Sequence, residues 1–203
     1  LLDAGVRRNQ AAEEIHNFVT RDGTPPEDFR RIGREQLAIY PNVEIRADRV
    51  ETIAGTKGAF RVVAGGATLL ARRIVLATGM IDEMLPLEGF RELWGSAIFQ
   101  CPYCHGWEVK DRAWGYLGRA EDAAHLVPFA LMISGWTRDV VAFTGGAFEV
   151  PEEGRQALKA AGVRLETAPL ARLVGAAGKL EAIELADGTK VAREVLFAHP
   201  PQR

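Results

Sequence analysis

Residues 101–108 read CPYCHGWE and contain both cysteines of the chain. Thiols at positions i and i+3 can close a small disulfide ring. Attack on a substrate disulfide needs a thiolate and a resolving partner, and this spacing supplies both. His105 follows Cys104 directly. An imidazole titrates near neutrality, so it can take a proton from a thiol or return one to a leaving thiolate. A zinc site would need four ligands, usually a second C-x-x-C or a histidine pair. No further cysteine exists and His16, His125 and His199 are scattered, so no metal is expected. Inert thiols are common among isolated cysteines. The proline between this pair and the histidine after it favour a redox role for Cys101, Cys104 and His105.

The elements that must position these residues come in two similar runs. The first passes from a helical pattern at 27–40 into NVEIRADRVETIAG and AFRVVAGGATLLARRIVLATG, ending at Gly79. The second passes from EEGRQALKAAG at 152–162 into VRLETAPLARLVGAAG and LEAIELADGTKVAREVLFAHP, ending at Pro200. Each is expected to hold a helix, a strand, a hairpin around a glycine-containing turn and a closing apolar strand, IVLATG or VLFAHP. The order and spacing of the four elements suggest a duplication. The second run is preceded by AWGYLG as a buried strand, 121–136 as a helix broken or kinked at Pro128, and DVVAFTGG as a further strand. That is a βαβ unit with parallel strands. The first run is preceded only by LLDAG, so it is expected to lack its opening strand and helix, roughly 30 residues, as part of a longer protein. In a dinucleotide-binding βαβ unit the second strand ends in an acidic residue that bonds a ribose hydroxyl. Asp3 of LLDAG stands at that place; a solvated turn aspartate is the alternative reading.

Composition narrows the class. The net charge of −2 gives no electrostatic reason to expect nucleic acid or a membrane surface as partner. No apolar run approaches the ~18 residues of a membrane span. The low cysteine density is not that of a secreted disulfide scaffold, so a cytoplasmic, reducing compartment is expected. The four tryptophans, Trp94, Trp107, Trp114 and Trp136, are expected in the core or at a domain boundary.

The stretch WGSAIFQCPYCHGWEV resembles the thioredoxin reductase-like FAD-dependent oxidoreductases, a branch of the pyridine nucleotide-disulfide oxidoreductases, and within them the C-P-x-C-H-G group. LLDAG with RRN at 7–9, HNFVTRDGTPPEDF at 16–29, YPNV at 40–43 and ARRIVLATGMIDEMLPLEGF at 71–90 extend the likeness. The resemblance implies an α/β fold of two Rossmann-like, three-layer ββα domains, one for FAD and one for a nicotinamide nucleotide. Residues 1–108 would be an incomplete FAD domain ending in the dithiol, and 109–203 an NAD(P)-binding-like domain. It further implies that Cys104 exchanges electrons with the flavin and that Cys101 attacks or releases the substrate sulfur. His105 stands where ordinary bacterial relatives carry an aspartate that acts as general acid. Ala77-Thr78-Gly79 would approach the FAD, where glycine lets the backbone come close, and Asn9, His16 and Asn17 would lie against the flavin and its ribityl chain. For these three, ordinary loop and cap roles remain the alternative. A homodimer is implied, with a small dithiol or disulfide, or a thioredoxin-like protein, as substrate.

The nicotinamide site departs from the pattern. After AWGYLG a G-x-G-x-x-G/A loop would let a pyrophosphate reach backbone N–H groups at a helix N-terminus. The chain instead has Gly118-Arg119-Ala120-Glu121-Asp122-Ala123. The Ala120 methyl would crowd the phosphates, and Glu121 and Asp122 add negative charge that Arg119 offsets only in part. The next strand ends FTGGAFEV, without the arginines that hold the 2′-phosphate of NADPH. Tight NADPH binding is not expected, and weak NADH binding stays open. Three functions follow: a reductase-like thiol–disulfide enzyme of undetermined direction, an oxygen-dependent dithiol oxidase that bypasses NADPH, and a redox-inert nucleotide-binding relative acting as a sensor.

Overall fold

The computed structural model describes residues 1–203. Its contacts divide the chain into one unit of residues 1–14 and 23–81 and another of 15–22 and 82–203. The boundary at Ile81/Asp82 differs from the one expected at 108/109. The reason is local: residues 82–108 bring a strand and core residues to the second unit's own sheet, so the dithiol belongs there by packing.

The first unit contains α1 (Pro26–Leu37), β1 (Val50–Thr56), β2 (Ala59–Ala64) and β3 (Ala67–Ala71). Helix α1 opens on Pro26, carries Glu27 and Asp28 in its first turn and ends near Arg34, as the helix dipole favours. Arg31 pairs with Asp28 and Glu35 along its exposed face. The three strands form an antiparallel meander in the order β1-β2-β3. Gly65 and Gly66, both at positive φ, make the β2–β3 turn, where a two-residue loop needs left-handed backbone.

The parallel strands expected in this unit do not form. LLDAG contributes only a parallel bridge between Leu2 and Arg46, with the Asp3 N–H donating to the Arg46 carbonyl. IVLATG runs without a ladder and leaves Val75 at 90% and Leu76 at 69% exposure. An apolar sequence becomes a strand only where a neighbouring backbone completes its hydrogen bonds, and this unit offers IVLATG none. Val62 and Ala64 are its only buried residues of the core-forming apolar types.

The second unit has a full core. In chain order it contains α2 (Phe90–Leu93), β4 (Ile98–Phe99), α3 (Pro102–His105) and β5 (Trp114–Leu117). A 3-10 turn at Ala120–His125 leads into α4 (Leu126–Ile133), followed by β6 (Val140–Phe143), α5 (Glu152–Ala160) and β7 (Arg164–Glu166). Strands β8 (Leu170–Ala176), β9 (Lys179–Leu185) and β10 (Lys190–Ala192) form a meander, and β11 (Val195–Ala198) returns to the main sheet. That sheet is parallel throughout, in the order β4-β11-β5-β6-β7. Because side chains alternate along a strand, Ile98, Val141, Phe143 and Leu196 face the meander. Phe99, Trp114, Tyr116 and Phe197 face the helical side with Leu126 and Ile133. The result is the three-layer ββα arrangement expected from sequence, realised in this unit.

The helix expected over 121–136 divides at His125/Leu126. Pro128 falls in the first turn of α4, where its missing N–H costs no helical hydrogen bond. Of the tryptophans, Trp114 is fully buried, while Trp107 is 67% exposed with Lys110 over its ring, which corrects the core or boundary place expected for it. No helix is long and apolar enough to cross a membrane.

Arg193 ties the amino ends of the sheet together. Its side chain is 8% exposed, and its guanidinium donates to Asp139 Oδ1 at 2.6 Å and to the Trp114 and Asp139 carbonyls at 3.3 Å. Replacing Arg193 with Met should remove these charge-assisted bonds. We expect a loss of about 1.5–3 kcal/mol. The measurement is urea unfolding followed by tryptophan fluorescence, which reports this unit alone because all four tryptophans lie in it. An unchanged midpoint would refute the clamp.

Candidate functional site

Parallel strands in register bring their carboxyl ends to one edge. Phe99 pairs with Phe197, Phe197 with Tyr116, and Tyr116 with Ala142. The dithiol turn leaves that edge after β4, the Gly118 loop after β5, and His199 after β11. Strand order reverses between β5 and β11, the switch point where ligands of open α/β sheets bind.

Cys101 is the N-cap of α3, Pro102 occupies its first position, and the Cys104 N–H donates to the Cys101 carbonyl at 3.2 Å. Both sulfurs are thiols, Cys101 half-buried and Cys104 exposed. The His105 ring stacks on Phe99, with centroids 4.5 Å apart and planes 16° from parallel. Its Nδ1 is buried without a hydrogen-bond partner. Burial pushes the His105 pKa below its ordinary value, opposed by Glu108 and the Cys101 main chain and assisted weakly by His16. The ring is therefore neutral at pH 7 and able to accept a proton.

Residues 15–22 lie on this turn. His16 Nε2–H donates to Glu108 Oε1 at 2.7 Å, with Asp22 Oδ1 3.8 Å from Nδ1. The Asn17 side-chain amide donates to the Tyr103 carbonyl at 2.8 Å, and its backbone N–H donates to Asp22 Oδ1 at 2.7 Å. Asn17 has φ 62° and Thr20 φ 70°. Left-handed backbone is tolerated by Asn but costly for a β-branched residue. Phe18, Val19, Tyr103 and Trp107 are the exposed large apolar side chains of the second unit, and all belong to these two segments.

His199 was set aside as scattered, yet the fold brings it to the same edge. Burial lowers its pKa, opposed by a bond to the Gln100 main chain, one residue before Cys101. Its Nδ1 lies 3.4 Å from the Tyr116 hydroxyl, whose pKa burial raises to about 12. The signal was visible: VLFAHP matches IVLATG, and the histidine stands at the strand's carboxyl end.

The loop after β5 is filled from within. Arg119 donates to the His199 carbonyl at 3.1 Å, pairs with Glu121 at 3.2 Å and lies 3.9 Å from Asp122. Residues 120–125 form a 3-10 turn with Asp122 at non-helical angles, so no row of α-helical N–H groups points outward there. The α-helix starts at Leu126, whose N–H is taken by the Ala123 carbonyl, and Pro128 supplies none. A Cβ on Gly118 would meet Leu126 Cδ1 at 2.5 Å, so close packing alone accounts for this glycine.

The remaining candidates lie in the first unit. The Asp3 carboxylate accepts from the Gly5 N–H at 2.9 Å and from Arg34 at 2.8 Å and pairs also with Arg30, which holds its pKa down to about 2. Asn9 is exposed, and its carbonyl accepts from the Ala12 N–H. Ala77, Thr78 and Gly79 are exposed; Gly79 has φ 69°, and a Cβ there would meet nothing within 4 Å. A fully ionised acceptor and a bare glycine turn fit a flavin nucleotide.

No protein-family model matches the chain. The solved structure assigned as thioredoxin reductase TrxB of Bacillus anthracis is 31% identical, with a TM-score of 0.92 over all of this chain and 68% of that one. An oxidoreductase of known structure from Agrobacterium tumefaciens is 37% identical, with a TM-score of 0.91 over 100% and 66% of the two chains. The thioredoxin reductase tcpT of Claviceps purpurea is 30% identical, covering 99% of this chain and 65% of its own length. The chain belongs to the thioredoxin reductase-like oxidoreductases. It spans 65% of the Claviceps protein and 37% of another curated relative, less than two thirds of either.

The two half-buried histidines, His105 and His199, make stability depend on pH. Their folded pKa values lie below the unfolded value near 6.5. As pH falls, the unfolded chain therefore takes up protons first. Stability from this source is complete above 6.5 and is lost as pH drops below it. The fluorescence-monitored urea midpoint should fall between pH 7.5 and 5.5, and the fall should be shallower after His105→Gln with His199→Gln. An equal fall in the double variant would exclude these rings as its cause.

Proposed function

We propose that this chain is the dithiol-bearing part of an FAD-dependent thiol–disulfide oxidoreductase of the C-P-x-C-H-G group. The carrying observation is the placement of Cys101, Cys104 and a neutral, half-buried His105 on one short turn at the carboxyl edge of the sheet. Asp3, Asn9 and the turn Ala77-Thr78-Gly79 of the first unit would hold the flavin nucleotide. When bound, the flavin would supply two-electron exchange with Cys104.

The substrate half of the reaction uses this chain's own groups. With the pair as a disulfide, a substrate thiolate attacks Cys101 Sγ, the Cys101–Cys104 bond breaks, and Cys104 leaves as thiolate. The second substrate thiol gives its proton to His105 and attacks the mixed disulfide, releasing Cys101. The substrate ends as a disulfide and the two cysteines are reduced; the reverse sequence reduces a substrate disulfide. A small dithiol or a thioredoxin-like protein suits this chemistry.

The loop after β5 favours the oxidising direction. Arg119 is engaged by Glu121, Asp122 and the His199 carbonyl, and the N–H row that would receive a pyrophosphate is missing. Electrons then enter from a substrate dithiol, and dioxygen is the terminal acceptor.

Anaerobic titration of the flavin-loaded protein tests this reading. Dithiothreitol should bleach the flavin absorbance and air should restore it, whereas NADPH at the same concentration should leave it unchanged. Cys104→Ser should block the bleaching by dithiothreitol. If that variant bleaches as the unmodified protein does, the dithiol is not the route; bleaching by NADPH would reverse the direction; no bleaching by either would favour the redox-inert sensor.

A further inference from the structure

We infer that His16 and Asn17 are positioning residues for the dithiol: they restrain the C-terminal half of its turn and so favour closure of the Cys101–Cys104 disulfide. The inference rests on the proposed redox role of that pair. It deepens that role by assigning the setting of the pair's potential to an eight-residue segment whose chain neighbours lie in the first unit.

Helix α3 is only four residues long, and its last carbonyls have no helical partners. The Cys101 carbonyl accepts from the Cys104 N–H, and the Pro102 carbonyl accepts from Gly106 at 2.6 Å. The Tyr103 carbonyl, lying between the two cysteines, accepts from the Asn17 amide at 2.8 Å. Glu108, two residues past Gly106, accepts from His16 at 2.7 Å. The two bonds therefore grip the segment one residue before and four residues after Cys104. Asp22 anchors the gripping segment by accepting from the Asn17 N–H and facing His16 Nδ1. Asn17 and Thr20 adopt left-handed backbone to make the shape, and such backbone persists in folds where the surroundings over-determine it.

Closing a disulfide brings two sulfurs to bonding distance with a restricted dihedral. The conformational freedom lost on closure sets the effective concentration of one thiol for the other, so a turn already held by outside bonds loses less. Removing the restraint lowers that concentration and makes the disulfide easier to reduce. The chemistry is ordinary exchange: each disulfide formed in the protein converts one glutathione disulfide to two glutathione thiols.

The test is the equilibrium constant of the purified protein with a glutathione redox buffer, the Cys101–Cys104 disulfide being quantified by acid quench and thiol alkylation. Asn17→Asp keeps the size and the tolerated backbone but places an acceptor against the Tyr103 carbonyl. His16→Ala removes the other bond, and His16→Gln restores a donor without a titrating ring. Asn17→Asp and His16→Ala should each lower the constant about tenfold, close to 30 mV for a two-electron couple, and His16→Gln should recover most of it. Thermal midpoints are taken in parallel, since a purely structural role would lower them without moving the glutathione equilibrium. Constants within twofold of the unmodified protein in both loss variants would overturn the clamp and leave the redox role standing. A protein that forms no Cys101–Cys104 disulfide in any buffer would overturn the redox role itself.

Discussion

The insertion of β11 between β4 and β5 is the contact on which the rest of the second unit depends. Each of those neighbours is short, and β4 is only two residues long, with no other main-sheet partner. Pairing Leu196 with Ile98 and with Gly115 fixes three strands in one register. Register decides face: a one-residue slip would turn Phe197, Tyr116 and Phe99 from the helical side to the meander side. The same pairing aligns three carboxyl ends, so the dithiol, the Gly118 loop and His199 share an edge although they lie up to about 100 residues apart in sequence. A parallel sheet needs cover on both faces, and the meander and the two long helices provide it.

Much of this unit could be read from residue patterns. Four-residue apolar runs such as VVAF and VLFA, too short for helices and bounded by glycine or proline, are what doubly covered strands look like. The dithiol needed only spacing. What could not be read was the company each residue keeps. The place of His199 depends on a return of the chain after the meander, and that of His16 on a contact across 92 residues. Asn17 and Tyr103 carry no periodic signal, because a single side-chain bond to a main-chain carbonyl leaves none. The resemblance to known flavoproteins pointed to Asn9, His16 and Asn17 together; Asn9 packs within the first unit and the other two within the second.

The two similar runs show why propensity is not structure. IVLATG and VLFAHP have equal claims to be strands by composition. VLFA gains hydrogen bonds on both sides and becomes fully buried, while IVLATG joins no ladder. The meanders, by contrast, form in both runs, since antiparallel neighbours linked by turns of two to four residues carry their partners with them. Local pairings survive in either context; non-local ones exist only where the partner strand is supplied.

Electrostatics at the switch point bear on which way electrons run. Arg119, Glu121 and Asp122 together leave one negative charge beside the loop. That charge disfavours an incoming phosphate, and solvent around the exposed Glu121 and Asp122 screens part of the effect. Geometry adds to charge: with a 3-10 turn in place of an α-helical start and Pro128 in the first turn of α4, the donors that normally offset anion desolvation are absent or used. Arg119 cannot serve a phosphate without giving up the His199 carbonyl and two carboxylates. The edge that binds dinucleotides in other parallel sheets thus lacks, at this loop, the free donors and positive charge that phosphate recognition needs.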